Sequence, residues 1–363
     1  MGSSGLELVV GARRDAEWGP VVLIGLGGIW IEVLKEIELR NEFKAVLIFD
    51  AFDAARDENK RMGFLSQIRK AKSQLKEKWN IIVSARTYDA KKSTDLVRLF
   101  SPTEDIGGYS AVRKISVNEL SENEIQEAST SPLLYNFYSK STPELKEILH
   151  IPFFLKILEA ILLEYSDESV EEIKRYKSET QLLDFFWQRK IDETEFAMQT
   201  QKFLLWFTRE LVEIKTLSIS KSDLLKTGGD SMFETFERLR SELIIDEVSF
   251  KNARIAYAHN IFFDYAVSRL CIEHDYNSLL AFISEDYSRA FFLRPSFVYF
   301  FTAVWYENKE IFWDLFKRLI GNEQKEIQLF VRLIINSTIA SQFSSVEDLD
   351  YVLKFNGTLS GDE

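Results

Sequence analysis

The sequence predicts an α/β region followed by an all-α region, and three observations support this fold class. Apolar runs rich in β-branched residues occur at residues 21–25, 45–50 and 81–86. Helical periodicity occupies the stretches between these runs, and beyond residue 118 helical patterns dominate. Short apolar runs separated by helices are typical of buried parallel strands. We therefore expect a partial parallel sheet followed by helical domains.

The α/β region has the order βαβαβ. Strands are predicted at Val21 to Gly25, Ala45 to Asp50 and Ile81 to Arg86, with helices over 29–39 and about 57–78. In the longer helix Phe64, Leu65 and Ile68 recur at helical spacing, which predicts one apolar face toward the sheet.

The helical region begins with a helix predicted to start at Ser121. Ser121 and Glu124 have the spacing of a capping box. A further helix is predicted at Ile151 with Pro152 in its first turn, and residues 181–211 supply one or two more. Residues 218–243 predict a helical unit broken at Gly228 and Gly229. A hairpin over 244–250 and 254–257 and a helix over 260–272 complete a unit typical of a winged helix.

From Tyr276 onward the pattern is helical, with aromatic residues at core spacing and a solenoid-like pairing of helices. The last residues, 356–363, have the composition of a frayed or truncated end.

Composition argues against several classes of partner, although a local basic patch remains possible. The chain has 57 acidic and 45 basic residues and a formal charge of −12, so neither nucleic acid nor an anionic membrane is an expected partner. No apolar run has the roughly 18 residues of a membrane span. The single cysteine, Cys271, fits a buried thiol in a reducing compartment, and we expect a cytoplasmic protein. One cysteine and three scattered histidines do not predict a transition-metal site.

Charged residues follow two neighbouring strands. Asp50, with Asp53 after it, can hold Mg²⁺ through water, and Arg86 can reach a terminal phosphate from the next strand. Asp50 could instead cap the following turn, and Arg86 could pair with these two acids. The chain contains no Gly-rich loop ending in Lys-Ser/Thr.

Three glycines follow the first predicted strand, namely Gly25, Gly27 and Gly28. Their backbone N–H groups could bind a phosphate, or the glycines could serve only a tight turn and close packing.

The order of these signals resembles the STAND class of signal-transduction NTPases, which includes NACHT and NB-ARC proteins. The resemblance covers residues 43–275. The segment from Ala45 to Asp53 resembles the Walker B strand, with Ala54 where NACHT proteins often carry a further acid, and Ser84-Ala-Arg86 resembles sensor 1. Ile151-Pro152-Phe-Phe-Leu resembles the motif that places a proline beside adenine. Ala258-His259-Asn-Ile-Phe-Phe-Asp-Tyr resembles the winged-helix motif whose histidine touches ADP phosphates. A core role is the alternative for His259.

The first forty residues resemble a different family. The segment from Gly5 to Lys35 is similar to part of the ATP-grasp domain of NDP-forming acyl-CoA synthetases. The later acids of an ATP-grasp site are not visible, so synthetase activity does not carry over. We expect a gene fusion or an artificial junction near residues 40–43.

These resemblances imply four segments: an ATP-grasp-like segment (1–42), an NTPase core remainder with a small helical subdomain (43–160), a helical and winged-helix domain (161–275) and a C-terminal helical region (276–363). Two functions remain open. The first is a STAND-type ATP/ADP switch with Mg²⁺ in signalling or defence, its ATPase activity weak or lost without the P-loop. The second is a nucleotide-free scaffold. Both imply protein partners or self-association through the helices.

Overall fold

The fold was analysed in a computed structural model of the chain. The structure describes residues 10–15, 19–24, 45–49, 52, 58–74, 79–85, 93–100, 115–129, 132–165, 168–249, 253–321 and 325–359. These residues belong to two compact units, Met1–Val117 and Asn118–Glu363. The first unit is α/β and the second is mainly helical, as the sequence predicts. The boundary between the units lies inside the predicted 43–160 segment, and the four-part division stays a prediction.

The first unit is built on a four-stranded sheet with the order β1-β2-β3-β4. Its strands are β1 (Val10–Asp15), β2 (Gly19–Ile24), β3 (Ala45–Phe49) and β4 (Trp79–Val83). The pairs β2–β3 and β3–β4 are parallel, which confirms the predicted parallel strands. The strand β1 pairs antiparallel with β2 and was not predicted.

Helix α1 (Glu58–Gln74) supplies the apolar face that the sequence predicts. Leu47 and Phe49 of β3 are buried together with Phe64 and Ile68 of α1. The ring of Phe64 meets the rings of Phe49 and Phe52 edge to face, at centroid distances of 5.6 and 5.5 Å. A short helix, α2 (Thr94–Leu99), begins at Ser93, whose side chain accepts a hydrogen bond from the backbone N–H of Leu96. The predicted helix over 29–39 lies outside the described residues.

The described part of the second unit contains helices from residue 122 to residue 359. They are α3 (Glu122–Ala128), α4 (Pro132–Ser139), α5 (Pro143–Leu149), α6 (Pro152–Glu164), α7 (Glu168–Glu172), α8 (Glu179–Trp187), α9 (Ala197–Glu213), α10 (Lys221–Ser241), α11 (Asn260–Leu270), α12 (Tyr276–Glu285), α13 (Tyr287–Phe292), α14 (Arg294–Glu307), α15 (Lys309–Gly321), α16 (Lys325–Gln342) and α17 (Val346–Leu359).

Two helical turns that are not α-helical adjoin these helices. A 3₁₀ turn (Ile173–Arg175) follows α7, and a π-helical turn (Gln188–Asp192) continues α8. The predicted capping box is present at the start of α3, where Ser121 and Glu124 exchange hydrogen bonds. Pro152 occupies the first turn of α6, also as predicted.

A three-stranded antiparallel sheet lies within the second unit, with the order β5-β7-β6. Its strands are β5 (Ser218–Ser220), β6 (Ile245–Ser249) and β7 (Arg254–Tyr257). The predicted hairpin is thus confirmed as β6 and β7. The predicted break at Gly228 and Gly229 is wrong, because α10 runs without interruption through both glycines. The cost of glycine within a helix is about 1 kcal/mol per residue, which neighbouring turns and packing can offset.

One apolar core runs through the second unit from Ile125 to Ile335. Aromatic side chains of the C-terminal helices belong to it, including Trp305 and Phe312, whose rings meet edge to face at 4.9 Å. The sequence assigned these rings to the core, and the structure confirms this. In the part of the chain that the structure describes, no helix combines the length and apolarity that crossing a bilayer requires.

Candidate functional site

The first candidate site is the carboxyl edge of the parallel sheet. Ile24 of β2 is in register with Phe49 of β3, and Phe49 is in register with Val83 of β4. Because the three strands are parallel and these residues are in register, β2, β3 and β4 all end at the same edge of the sheet. Ligands of open α/β sheets bind at this edge.

Hydrogen bonds continue the contact between β3 and β4 beyond the paired residues. The backbone N–H of Ser84 donates to the carbonyl of Phe49 at 2.9 Å, and the N–H of Phe52 donates to the carbonyl of Ser84 at 3.0 Å. The described residue Phe52 therefore lies beside Ser84, which follows β4.

The residues predicted to bind phosphate and Mg²⁺ follow these strand ends in sequence. Gly25, Gly27 and Gly28 come after β2, Asp50 and Asp53 after β3, and Arg86 after β4. All six lie outside the described residues. Their proposed roles stay predictions, and the described backbone supplies only the shared edge from which they follow.

The second candidate site lies in the second unit, where the remaining two predicted residues are found. Pro152 is exposed at the start of α6, and Ile151 before it provides no side-chain cap. His259 is exposed and precedes α11 with extended backbone, φ −143° and ψ 144°. Its Nδ1 accepts a hydrogen bond from the backbone N–H of Ile261 at 3.2 Å, so the imidazole caps the helix.

Phe153 joins these two helix starts. Its ring stacks on the imidazole of His259 with 4.3 Å between centroids and 22° between planes. The ring of Phe262, one turn into α11, meets Phe153 edge to face at 5.1 Å and stacks on Phe186 of α8 at 5.5 Å. The structure therefore brings together the two segments that the resemblance assigned to one nucleotide.

The capping hydrogen bond determines which ring nitrogen carries the proton when His259 is neutral. A nitrogen that accepts a hydrogen bond carries no proton, so the neutral imidazole has its proton on Nε2. A neutral His259 can therefore donate from Nε2 while Nδ1 holds the helix. A donor at a helix start is suited to a phosphate or another anion.

Sequence reasoning missed a polar group beside Pro152. The hydroxyl of Tyr138 lies 2.9 Å from Nε2 of His150 and donates to Oε1 of Glu122 at 3.3 Å. Burial and the nearby Glu122 carboxylate raise the pKa of Tyr138 to about 12. The carbonyl of His150 accepts from the backbone N–H of Leu120 at 2.8 Å, which fixes the chain entering this unit. The position of His150 two residues before Pro152 was the only available signal.

A second missed group lies farther along α11. Tyr265 and Arg269 both donate to Oδ1 of Asp184 in α8, Arg269 at 3.0 Å. The other guanidinium nitrogen of Arg269 donates to Oδ2 of Asp192 at 3.0 Å. The spacing of Tyr265 and Arg269 places them on one helix face, but nothing in the sequence identifies Asp184 or Asp192 as their partners.

One cavity among the described residues lies away from Pro152 and His259. Its volume is about 370 Å³, and it lies between the start of α12 and helix α15. Its lining is His274, Asp275, Tyr276, Glu310, Ile311, Asp314, Leu315 and Arg318. The Arg318 side chain forms an ion pair with Asp314 at 3.0 Å and lies over the Tyr276 ring. Two of the groups that line the cavity, Asp314 and Tyr276, are therefore already in contact with the Arg318 cation.

Among the described residues there is no group of three or more His, Cys, Asp or Glu side chains placed to hold a metal ion. The predicted Mg²⁺ residue, Asp50, lies outside that part of the chain.

Comparison with known proteins relates the beginning of the chain to a family. The ATP-grasp domain family matches residues 1–56. The chain is 54% identical over 39 residues to a trans-feruloyl-CoA synthase from an unknown prokaryotic organism, covering 11% of this chain and 6% of that protein. It is 45% identical over 40 residues to an ADP-forming acetate–CoA ligase of Archaeoglobus fulgidus, with the same two coverages.

The beta subunit of an ADP-forming acetate–CoA ligase of Pyrococcus furiosus is 50% identical over 36 residues, which is 10% of this chain and 16% of that subunit. The predicted resemblance of the N-terminal segment to ATP-grasp domains is thereby confirmed. The chain spans only 6% of the length of the first two relatives.

Proposed function

We propose that the chain is a regulatory nucleotide switch of the STAND type, which binds ATP or ADP with Mg²⁺ and changes conformation between the two. Its hydrolytic activity is weak or lost, because the 363 residues contain no Gly-rich loop ending in Lys-Ser/Thr. The nucleotide acts as a signal within a defence or signalling pathway.

The observation that carries this proposal is the stack of Phe153 on His259 at 4.3 Å. The resemblance assigns the Pro152 segment to the adenine and His259 to the ADP phosphates. A single nucleotide can contact both segments only if the starts of α6 and α11 are neighbours. Only the resemblance predicts that the starts of α6 and α11 lie side by side, because no local pattern in the sequence does so.

Within the first unit, a phosphate and Mg²⁺ site is proposed at the carboxyl edge of the parallel sheet. Asp50 would hold Mg²⁺ through water, Asp53 would serve as the second acid, and Arg86 would sense the terminal phosphate. The common row of Ile24, Phe49 and Val83 supports this proposal, since the candidate residues follow from one edge.

The ATP-grasp-like segment is proposed to contribute a strand and a glycine turn, without ligase chemistry. Relatives of this segment are named ADP-forming ligases, but the chain covers only 6% of the Archaeoglobus enzyme. The N–H groups after β2, at Gly25, Gly27 and Gly28, would bind phosphate without the lysine that a P-loop supplies.

The helical part is proposed to carry the response. Helix α10, the β5-β7-β6 sheet and α11 form the proposed winged helix, and α12 to α17 form the proposed solenoid-like region. Protein partners, or a second copy of the chain, would bind these helices.

Calorimetric titration of the purified chain with ATP and ADP, each with and without Mg²⁺, tests the proposal. We expect micromolar binding, about −8 kcal/mol. Asp50→Ala should weaken Mg²⁺-dependent binding. His259→Asn should weaken ADP binding while it keeps a good helix cap, since Asn is a favoured capping residue. Absence of heat with both nucleotides would contradict the switch.

A nucleotide-free interaction scaffold is the second candidate. The missing Gly-rich loop favours it, because that loop supplies most of the phosphate contacts in enzymes of this type. Under this function Asp50→Ala and Arg86→Ala alter only the free energy of unfolding, and neither nucleotide shifts the melting temperature.

A further inference from the structure

We infer that Tyr265 and Arg269 are positioning residues, which lock α11 against α8 and thereby hold His259 on Phe153. The inference rests on the proposed function only for its consequence, which is control of the nucleotide site. The coupling between the Tyr265 and Arg269 contacts and the position of the His259 ring does not require a nucleotide.

The lock consists of two side chains one turn apart that bind the same carboxylate. The hydroxyl of Tyr265 and Nη1 of Arg269 both donate to Oδ1 of Asp184, and Nη1 of Arg269 also lies 3.2 Å from the Tyr265 hydroxyl. Hydrogen bonds are directional. Two donors on one helix face that share one acceptor oxygen therefore fix both the rotation and the axial position of α11.

The π-helical turn after α8 provides the second anchor. Nη2 of Arg269 donates to Oδ2 of Asp192 in this turn, and Nε2 of Gln201 in α9 donates to the other oxygen at 2.8 Å. Trp187 closes the cluster with its ring 5.4 Å from that of Tyr265. The lock thus joins α8, its π-helical turn, α9 and α11.

The ring contacts of Phe262 near His259 are less directional than these hydrogen bonds. Phe262 touches Phe153 and Phe186 through ring faces and edges, which tolerate sliding better than hydrogen bonds do. On the other side of α11, Oδ1 of Asp264 accepts from the Ser296 hydroxyl of α14 at 3.0 Å. The Tyr265–Arg269 pair is a directional link from α11 to α8.

Helix geometry explains how the lock reaches His259. An α-helix rises about 1.5 Å per residue, so His259 lies about 9 Å from Tyr265 along the axis. A slip of α11 by one residue rotates it by about 100° and would carry the His259 ring off Phe153. A change at Tyr265 or Arg269 therefore acts on a ring it does not touch.

Tyr265 is the buried member of the lock. Tyr265 is 1% exposed. Burial raises the pKa of Asp184, while the hydrogen bond from Tyr265 and the Arg269 charge act in the opposite direction. Asp184 and Arg269 are each 35% exposed, so removal of one donor leaves a carboxylate that water can partly reach while the shared hydrogen-bond geometry is lost.

The carboxylate of Glu307 connects this cluster to one more group. It lies 3.3 Å from Nδ1 of His274, and its charge acts on both Asp184 and Arg269. The end of α14 therefore contributes to the electrostatic environment of the lock.

Proton NMR of the histidine rings in nucleotide-free protein tests the inference. The chain has three histidines, so three imidazole Hε1 signals are expected, and His150→Gln, His259→Asn and His274→Gln assign them. Phe153→Leu gives the His259 signal without the stack. Tyr265→Phe and Arg269→Gln should each move the His259 signal toward that reference and leave the His150 signal in place.

Arg240→Gln is the matched control. Arg240 is a half-exposed arginine of α10 that lies near Glu237 and Asp246, and its replacement should move no histidine signal. Tyr265→Phe removes one hydroxyl and carries the test if Arg269→Gln fails to fold. A folded Tyr265→Phe variant with the wild-type His259 signal would overturn the inference.

Calorimetry then separates the lock from the proposed function. If ADP binds the wild type, Tyr265→Phe should raise the Kd for ADP several-fold, in step with the movement of the His259 signal. An unchanged Kd in a variant whose His259 signal has moved would overturn the functional consequence. Absence of ADP binding by the wild type would overturn the proposed switch, while the NMR result decides the coupling.

Discussion

The ring of Phe153, at the start of α6, stacks on the imidazole of His259, the residue that caps α11. We expect a double-mutant cycle with Phe153→Leu and His259→Asn to give a coupling energy of about 0.5–1.5 kcal/mol, the usual range for aromatic pairs. Urea unfolding of the four proteins measures it.

His259→Ala provides the control for the capping hydrogen bond. It removes the ring and the cap together, so it should cost up to about 1 kcal/mol more than His259→Asn. Equal costs for the Ala and Asn variants would mean that Nδ1 does not cap α11. A coupling energy near zero would contradict an energetically significant stack.

The lowered pKa of Asp348 should make the stability of the protein depend on pH. It is 1% exposed, pairs with Lys309, and accepts from the backbone N–H groups of Ser344 and Ser345 at 3.1 and 3.0 Å. Burial alone would raise its pKa, but Lys309 and the hydrogen bonds lower it to about 2. Because the unfolded pKa is about 3.9, this stabilisation is present above about pH 4 and is lost as the pH falls through about 2.

Asp348→Asn should therefore lower the free energy of unfolding at neutral pH by about 2 kcal/mol. The gap between wild type and variant should narrow as the pH falls below about 4. Denaturant unfolding at a series of pH values measures the gap. Asp350→Asn, an exposed site in the same helix, is the control, and a comparable loss there would contradict the assignment.

Cys271 should react slowly with thiol reagents in the folded protein. Burial raises its pKa to about 11, while nearby Arg209 and Arg289 act weakly in the opposite direction. At pH 8 its thiolate fraction should be on the order of 100-fold below that of an ordinary cysteine, and the thiolate is the reactive form. A colorimetric thiol assay before and after addition of urea measures the difference. Equal rates in both conditions would contradict a Cys271 thiol whose pKa is raised by its surroundings.

Gly228→Ala and Gly229→Ala should each stabilise the protein by about 0.5–1 kcal/mol. Both glycines lie inside the continuous helix α10, where alanine restricts the unfolded chain without requiring an unusual backbone angle. Thermal or urea unfolding measures the gain. A loss of more than about 1 kcal/mol in either variant would indicate a break in α10 at that position.

Local patterns predicted much of the fold because local chemistry determines it. The parallel strands follow from β-branched apolar runs, and the capping box at Ser121 follows from its spacing to Glu124. Strand β1 was missed because Val10–Asp15 has few apolar residues, and its place in the sheet comes from pairing with β2. The supposed break in α10 shows the limit of propensity where a long helix packs against its neighbours.

Partners that lie far apart in sequence could not be predicted. The resemblance selected Pro152 and His259, but only helix packing brings Phe153 onto the imidazole. Likewise, the spacing of Tyr265 and Arg269 indicates a shared face without indicating Asp184 as the acceptor. The phosphate residues Asp50, Asp53 and Arg86 stay predictions from strand-end position and resemblance.

The ladder between β2 and β3 also affects how the protein tolerates truncation. Strand β3 is paired on both edges, with β2 on one side and β4 on the other. A chain without residues 1–44 would lose β1 and β2 and expose the backbone donors and acceptors of Ala45–Phe49. Such an open, apolar edge is a template for pairing with other chains. By pairing with β3, strand β2 of the N-terminal segment, whatever its ancestry, covers this backbone edge.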